Sequence, residues 1–249
     1  MTMRMLILLF IASLIVFLTV RMPAGLAVSA AGLTGDNTTI QTRGTVWQGQ
    51  ASIAPGPGSG MAGTMGGTVY FTTRILPLLT LTWSADWRYE GMTVTGDGRL
   101  SREIDGALSL KDTRIRLTLD RLQTGLPLTG VVDMAVRHLR LDADGRCVTA
   151  EGDARTDALA RSFEDIGWRA PVLTGPLDCV DGRPVARLTG RDGMGDISAE
   201  WTLPVPAGGG LAGRVDMRVN TDAPTMEFAL PRLGFRQSGD GYILRLEQG

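Results

Sequence analysis

Four stretches of this chain alternate apolar and polar side chains with a period of two, and that period leaves little choice of fold. Ile115, Leu117 and Leu119 alternate with Arg114, Arg116 and Thr118, and Val132, Met134 and Val136 with Asp133, Ala135 and Arg137. Further on, Val215, Met217 and Val219 alternate with Asp216, Arg218 and Asn220, and Tyr242, Leu244 and Leu246 with Ile243, Arg245 and Glu247. Neighbouring side chains of an extended chain point to opposite faces, so each stretch presents one dry row and one wet row. Antiparallel sheets with one solvated face produce this pattern. In the second stretch the apolar row moves to Leu139 and Leu141 beyond His138. One inserted residue has that effect, which predicts a β-bulge near His138.

Turn signals separate the strands: Gly96-Asp97-Gly98, Asp144-Gly145, Asp181-Gly182, Asp192-Gly193, Gly208-Gly209-Gly210 and Gly239-Asp240-Gly241. One stretch has helical spacing. Leu159, Phe163 and Ile166 fall at i, i+4 and i+7 between Thr156 and Gly167, with Pro171 following. The expected fold is therefore mainly β, a curved, mostly antiparallel sheet or sheets of meander type with one short helix. A faint internal echo links Trp83–Leu100 to Ile197–Val219, which has its own Trp201, and suggests two similar halves dividing near Arg146.

Hydrophobic residues make up 43% of the 249 and charged residues 20%, enough apolar material for a packed core. The formal net charge of −1 excludes the basic footprint that nucleic acid binding requires.

Met5 to Val20 carries no charge and is flanked by Arg4 and Arg21. As a helix it spans roughly 24 Å of a bilayer core about 30 Å thick, and Met22 to Val28 prolongs it past Arg21. The competing reading is a cleaved signal peptide ending near Val28-Ser29-Ala30. The length of the run, and Arg21 standing between it and that site, favour an anchor. Arg4 and Arg21 are too evenly matched to orient it. Both readings export the remainder. The implied organisation is a cytoplasmic tail over 1–4, a transmembrane anchor over 5–25, a linker over 26–40 and a β-rich periplasmic domain over 41–249.

Cys147 and Cys179 are the only cysteines. An even pair in an exported chain reads as a disulfide, and neither CxxC spacing nor a second ligand pair points to redox or metal chemistry. Gly58 to Gly63 matches GxGxxG, but a strand-like Thr68–Phe71 follows where a dinucleotide site needs a helix. His138 is the only histidine and has no evident nucleophile or orienting acid, and Ser59 lacks the elbow glycine because Pro57 holds that place. Glu164-Asp165 and the Asp142/Asp144 pair read as a helix face and a turn. No catalytic residue, metal or cofactor is expected. Trp83 and Trp87 share one strand face with Ala85, which makes them either core packing or an interaction patch; Trp47 reads as packing.

Gly44-Thr45-Val46-Trp47-Gln48-Gly49 resembles the Gly-Thr-(Val/Leu)-Trp-x-Gly signature of the type II secretion system protein N family, with Gly44, Thr45, Trp47 and Gly49 as its fixed positions. Pro23-Ala24, Leu81-Thr82-Trp83, Leu126 to Gly130, the two cysteines, Leu233-Gly234 and Gly241-Tyr242 fit that family in order along nearly the whole chain. The resemblance implies an inner-membrane accessory component of protein export. Its partners would be other platform subunits, with membrane lipid met through the anchor. It brings no catalytic residues.

A second resemblance, to the AsmA-like lipid-transport proteins, rests on an anchor followed by one-sided sheets. There, rows such as Ile115/Leu117/Leu119 and Val215/Met217/Val219 would line an acyl-chain groove. The two readings differ in whether a second sheet closes those rows.

Overall fold

All four alternating stretches are strands in the computed structural model, which describes residues 10, 13, 17, 21–25, 38–55, 66–75, 77, 80–119, 129–162, 170–193, 195–203, 213–221, 224–232 and 234–248. In chain order the elements are β1 (Thr38–Gly44), β2 (Gln48–Pro55), β3 (Gly67–Arg74), β4 (Trp83–Gly91), β5 (Val94–Arg102), β6 (Leu108–Thr118), β7 (Val131–Leu141) and β8 (Cys147–Thr156). A short helix α1 (Ala158–Ser162) leads to β9 (Leu173–Val180), β10 (Arg183–Asp192), β11 (Gly195–Thr202) and β12 (Gly213–Thr221), then α2 (Pro224–Arg232), β13 (Arg236–Ser238) and β14 (Gly241–Gln248). These strands form one antiparallel sheet in sequence order, except that β14 lies between β12 and β13.

Cross-strand partners share a face, so the register shows which side chains line each side. Val69, Tyr89, Gly96, Ile115, Met134, Ala154 and Gly175 form one inner row from β3 to β9. From β7 onward this face is core. Leu173, Leu177 and Val219 are fully buried, and Met134, Val136, Leu139 and Leu141 nearly so. No second sheet covers it among the described residues. Helices do part of that work: α1 contributes Leu159, and α2 contributes Met226 and Leu230. Full burial of each such side chain stabilises by about 1.5–3 kcal/mol.

The bulge at His138 is present. Val136 pairs with Gly152 while His138 pairs with Glu151, so Arg137 is the inserted residue. On β6 the register against β5 also slips, at Asp112, whose φ is +49°. Cys147 and Cys179 are disulfide-bonded with Cα atoms 5.5 Å apart, closing the segment that contains α1.

Two expectations need correction. Gly96-Asp97-Gly98 is not a turn but the middle of β5. Its glycines clear space: a Cβ on Gly96 would lie 2.9 Å from the Arg114 carbonyl oxygen, and one on Gly98 would collide with Thr113. The helix after Thr156 is described only to Ser162, with Phe163 and Ile166 outside the described residues. A second helix, α2, was hidden by its prolines. Pro224 suits its first position, and Pro231 lies near its end. It stops at Gly234, φ +85°, where Gly234 N–H donates to the Pro231 carbonyl and Phe235 N–H to that of Leu230.

Among the described residues no helix is long and apolar enough to cross a membrane. Of the Met5 to Val20 run only Phe10, Ser13 and Phe17, all helical, are described. Gly58 to Gly63 and Gly208 to Gly210 also lie outside.

Candidate functional site: the signature turn and the tryptophan face

The six residues from Gly44 to Gly49 make the turn between β1 and β2, and its geometry gives three of the four fixed positions a physical reason. Gly44 has φ +95°, and a Cβ there would stand 2.5 Å from the Gln48 carbonyl oxygen. Thr45 organises the turn: its hydroxyl accepts from the Trp47 and Gln48 N–H groups, both at 3.3 Å, while its own N–H donates to the Gln48 carbonyl at 2.9 Å. Gly49 leaves room for the Phe71 ring, which would be 2.8 Å from a Cβ. Trp47 is half-buried.

This turn also joins two parts of the chain. Pro23 bridges to Thr45, and the Val46 N–H donates to the Met22 carbonyl at 3.0 Å. On its other side Thr73 of β3 gives its N–H to the Trp47 carbonyl and its hydroxyl to the Val46 carbonyl, each at 2.7 Å. The end of the N-terminal segment is thereby fastened to three strands. Pro23 carried a signal in the sequence; Thr73, one threonine of a pair, carried none.

Residues 38–245 match the family described as type II secretion system (T2SS), protein N. The chain belongs to that family. Membership makes it an accessory component of type II secretion and implies contact with other components of that system. No curated protein and no solved structure matches the chain significantly.

Within this protein N fold the two candidate tryptophans share the inner face but not the same surroundings. Trp87 is half-buried between Phe71 and Gly98, its cross-strand partners. Trp83 begins β4 opposite Arg102 and is 39% exposed. His138 is a half-buried strand residue beside the bulge, facing Lys111 and Glu151. Asp142 accepts N–H bonds from Asp144 and Arg146, as turn aspartates do. Among the described residues no group of His, Cys, Asp or Glu is placed to hold a metal.

The outer face is a lattice of opposite charges. Asp86 takes hydrogen bonds from Arg74 at 2.7 Å and Arg99 at 3.1 Å. Burial pushes its carboxyl up, but the two guanidiniums outweigh this and hold it below the usual range. The Arg191 guanidinium lowers Asp196 in the same way. A cleft of about 1020 Å³ opens between two rows of mixed sign, one with Arg88, Asp97, Arg114 and Asp153 and the other with Glu90, Arg116, Asp133 and Arg155. Four cations face four anions there, so the cleft selects neither an anionic nor a cationic ligand. On the other face, burial raises the hydroxyl of Tyr89, whose ring lies over Gly67 and Gly91.

Proposed function

We propose that this protein is a non-catalytic component of the type II secretion system, held at the inner membrane by its N-terminal apolar segment, with its β domain in the periplasm. It acts by protein–protein contact with other platform subunits. The observation that carries this reading is the family match over 38–245, joined to a signature turn that fastens the end of the apolar segment to the sheet. The contact surfaces are the outer edge of β1, which no described strand pairs, and the inner face around Trp87 and Trp83. A free edge offers unpaired backbone groups to an added strand.

The test is recovery of the full-length protein from gently solubilised inner membrane, with co-purifying proteins and lipids identified. Secretion-platform subunits with trace lipid support the reading. A double Trp83→Ala, Trp87→Ala variant that folds, assembles and secretes normally removes the tryptophan face from it.

A second reading, lipid binding, draws on one observation. Ile115, Leu117 and Leu119 are only half-buried, and no second sheet closes over them among the described residues. At the other end Val219 is buried in the core with Met217 packed beside it, which favours closure there. Stoichiometric phospholipid without platform subunits in the same recovery experiment would decide for this alternative.

A further inference from the structure

Apolar side chains collect at one end of the sheet. Leaving the connection between β3 and β4, Ile75 and Leu81 are each 66% exposed and Trp83 is 39% exposed. On the adjacent connection between β5 and β6, Ile104 is 80% exposed. Register places the two connections side by side, because Trp83 pairs with Arg102. Leu81 has φ +57°, a conformation that is costly for a leucine. Among the described residues this strained leucine is left largely in water.

The N-terminal segment leaves the sheet at this same end. A Cβ on Gly25 would lie 3.1 Å from the Thr42 hydroxyl, Pro23 pairs with Thr45 and the Met22 carbonyl accepts from Val46, so the chain from Gly25 back to Met22 runs toward the β1–β2 turn. Arg21 stacks over Phe17 there, and Met22 is 39% exposed. The hairpins project the same way and further. Gln48, where β2 begins, is level with Asp86 through Thr72, and Trp83 stands three residues beyond Asp86. At the rise of an extended chain this is about 10 Å past the start of β2.

We infer that Ile75, Leu81, Trp83 and Ile104 form a rim that rests in the headgroup region of the bilayer, a second membrane contact beside the N-terminal segment. The inference rests on the membrane-anchored reading above. A tryptophan beside an arginine suits that depth, since the indole body is apolar and its N–H, like the guanidinium, remains in the wet layer. Two points of attachment fix the tilt of the sheet on the membrane, where one helix alone leaves it to swivel. Trp83 thereby passes from the protein contact proposed above to the bilayer, and Trp87, deeper in the sheet, keeps that contact.

Full-length protein with one added cysteine, at Ser13→Cys, Leu81→Cys, Ile104→Cys or Met92→Cys, is labelled with an environment-sensitive fluorophore and reconstituted in phosphatidylethanolamine–phosphatidylglycerol vesicles. Met92 is exposed at the opposite end of the sheet and is the control. The label at 13 loses emission to a quencher carried deep in the lipid acyl chains and the labels at 81 and 104 to a shallow lipid-borne quencher, while the label at 92 loses it only to aqueous iodide. If 13 is quenched by lipid but 81 and 104 are as open to iodide as 92, the rim is overturned and the anchor stands. If 13 escapes the lipid quencher, the anchor and the rim fall together. Shielding of 81 and 104 that arises only when other membrane subunits of the system are added overturns the rim in favour of a protein interface.

Discussion

The Thr73 hydroxyl donates to the Val46 carbonyl at 2.7 Å across 27 positions of sequence, so β3 holds the turn that in turn holds Met22 and Pro23. Thr73 is 8% exposed, which makes a water an unsuitable substitute partner. Thr73→Val keeps the shape but strands a carbonyl, at a cost of about 1–3 kcal/mol. Urea unfolding monitored by tryptophan emission measures the loss, and Thr73→Ser restores most of it. Equal stability of the valine variant would remove the hydroxyl from the junction.

Gly175 lies where β9 approaches β10 so closely that a Cβ would collide with the Arg187 carbonyl oxygen and stand 3.1 Å from the Leu188 Cα. These atoms are all backbone of β10, so no flexible group can give way. Gly175→Ala destabilises by about 1–3 kcal/mol or prevents folding. Gly193, in the turn between β10 and β11, has nothing within 4 Å of its Cβ position, and Gly193→Ala leaves thermal unfolding nearly unchanged. The contrast separates crowding from the general effect of losing a glycine.

The strands were legible because their inner residues are bulky and their outer residues charged, as in Met134 against Asp133. The bulge was legible for the same reason: the apolar row changes parity at His138. Where small residues occupy the inner row the alternation vanishes. Gly96 and Gly98 read as a turn because nothing local records that the Arg114 carbonyl and Thr113 need their space. α2 was obscured by Pro224 and Pro231, although Met226 and Leu230 keep the i, i+4 spacing of its buried face. The junction was legible in part. Gly44, Thr45, Trp47 and Gly49 stood out as a motif, but their attachment to Met22, Pro23 and Thr73 is a matter of tertiary contact.

The cystine closes the segment between β8 and β9, and Cys147 belongs to the core cluster. For a separation of 32 residues the chain-entropy model gives about 3.5–4 kcal/mol. Dithiothreitol, or a Cys147→Ala, Cys179→Ala variant, should lower the urea midpoint accordingly, with the reductant having no further effect on the variant. An unchanged midpoint would mean that pairing of β8 with β9 alone sets the loop.

Acid should weaken the sheet through Asp86. Its folded-state pKa lies below the unfolded value because Arg74 and Arg99 outweigh burial. A depressed carboxylate pKa contributes stability that is fully present above the unfolded value, ~3.9, and disappears as pH falls through the folded one. The side chain of Asp86 is 43% exposed, so solvent screens the pair and the contribution is small. Asp86→Asn should therefore lower stability modestly at pH 7 and converge with the parent near pH 2, as followed by urea midpoints across that range. Raising the salt concentration should narrow the gap at pH 7, because exposed ion pairs are screened while hydrogen bonds are not. A gap that persists unchanged at low pH would mean that Asp86 acts through packing or neutral hydrogen bonding and that its charge contributes nothing.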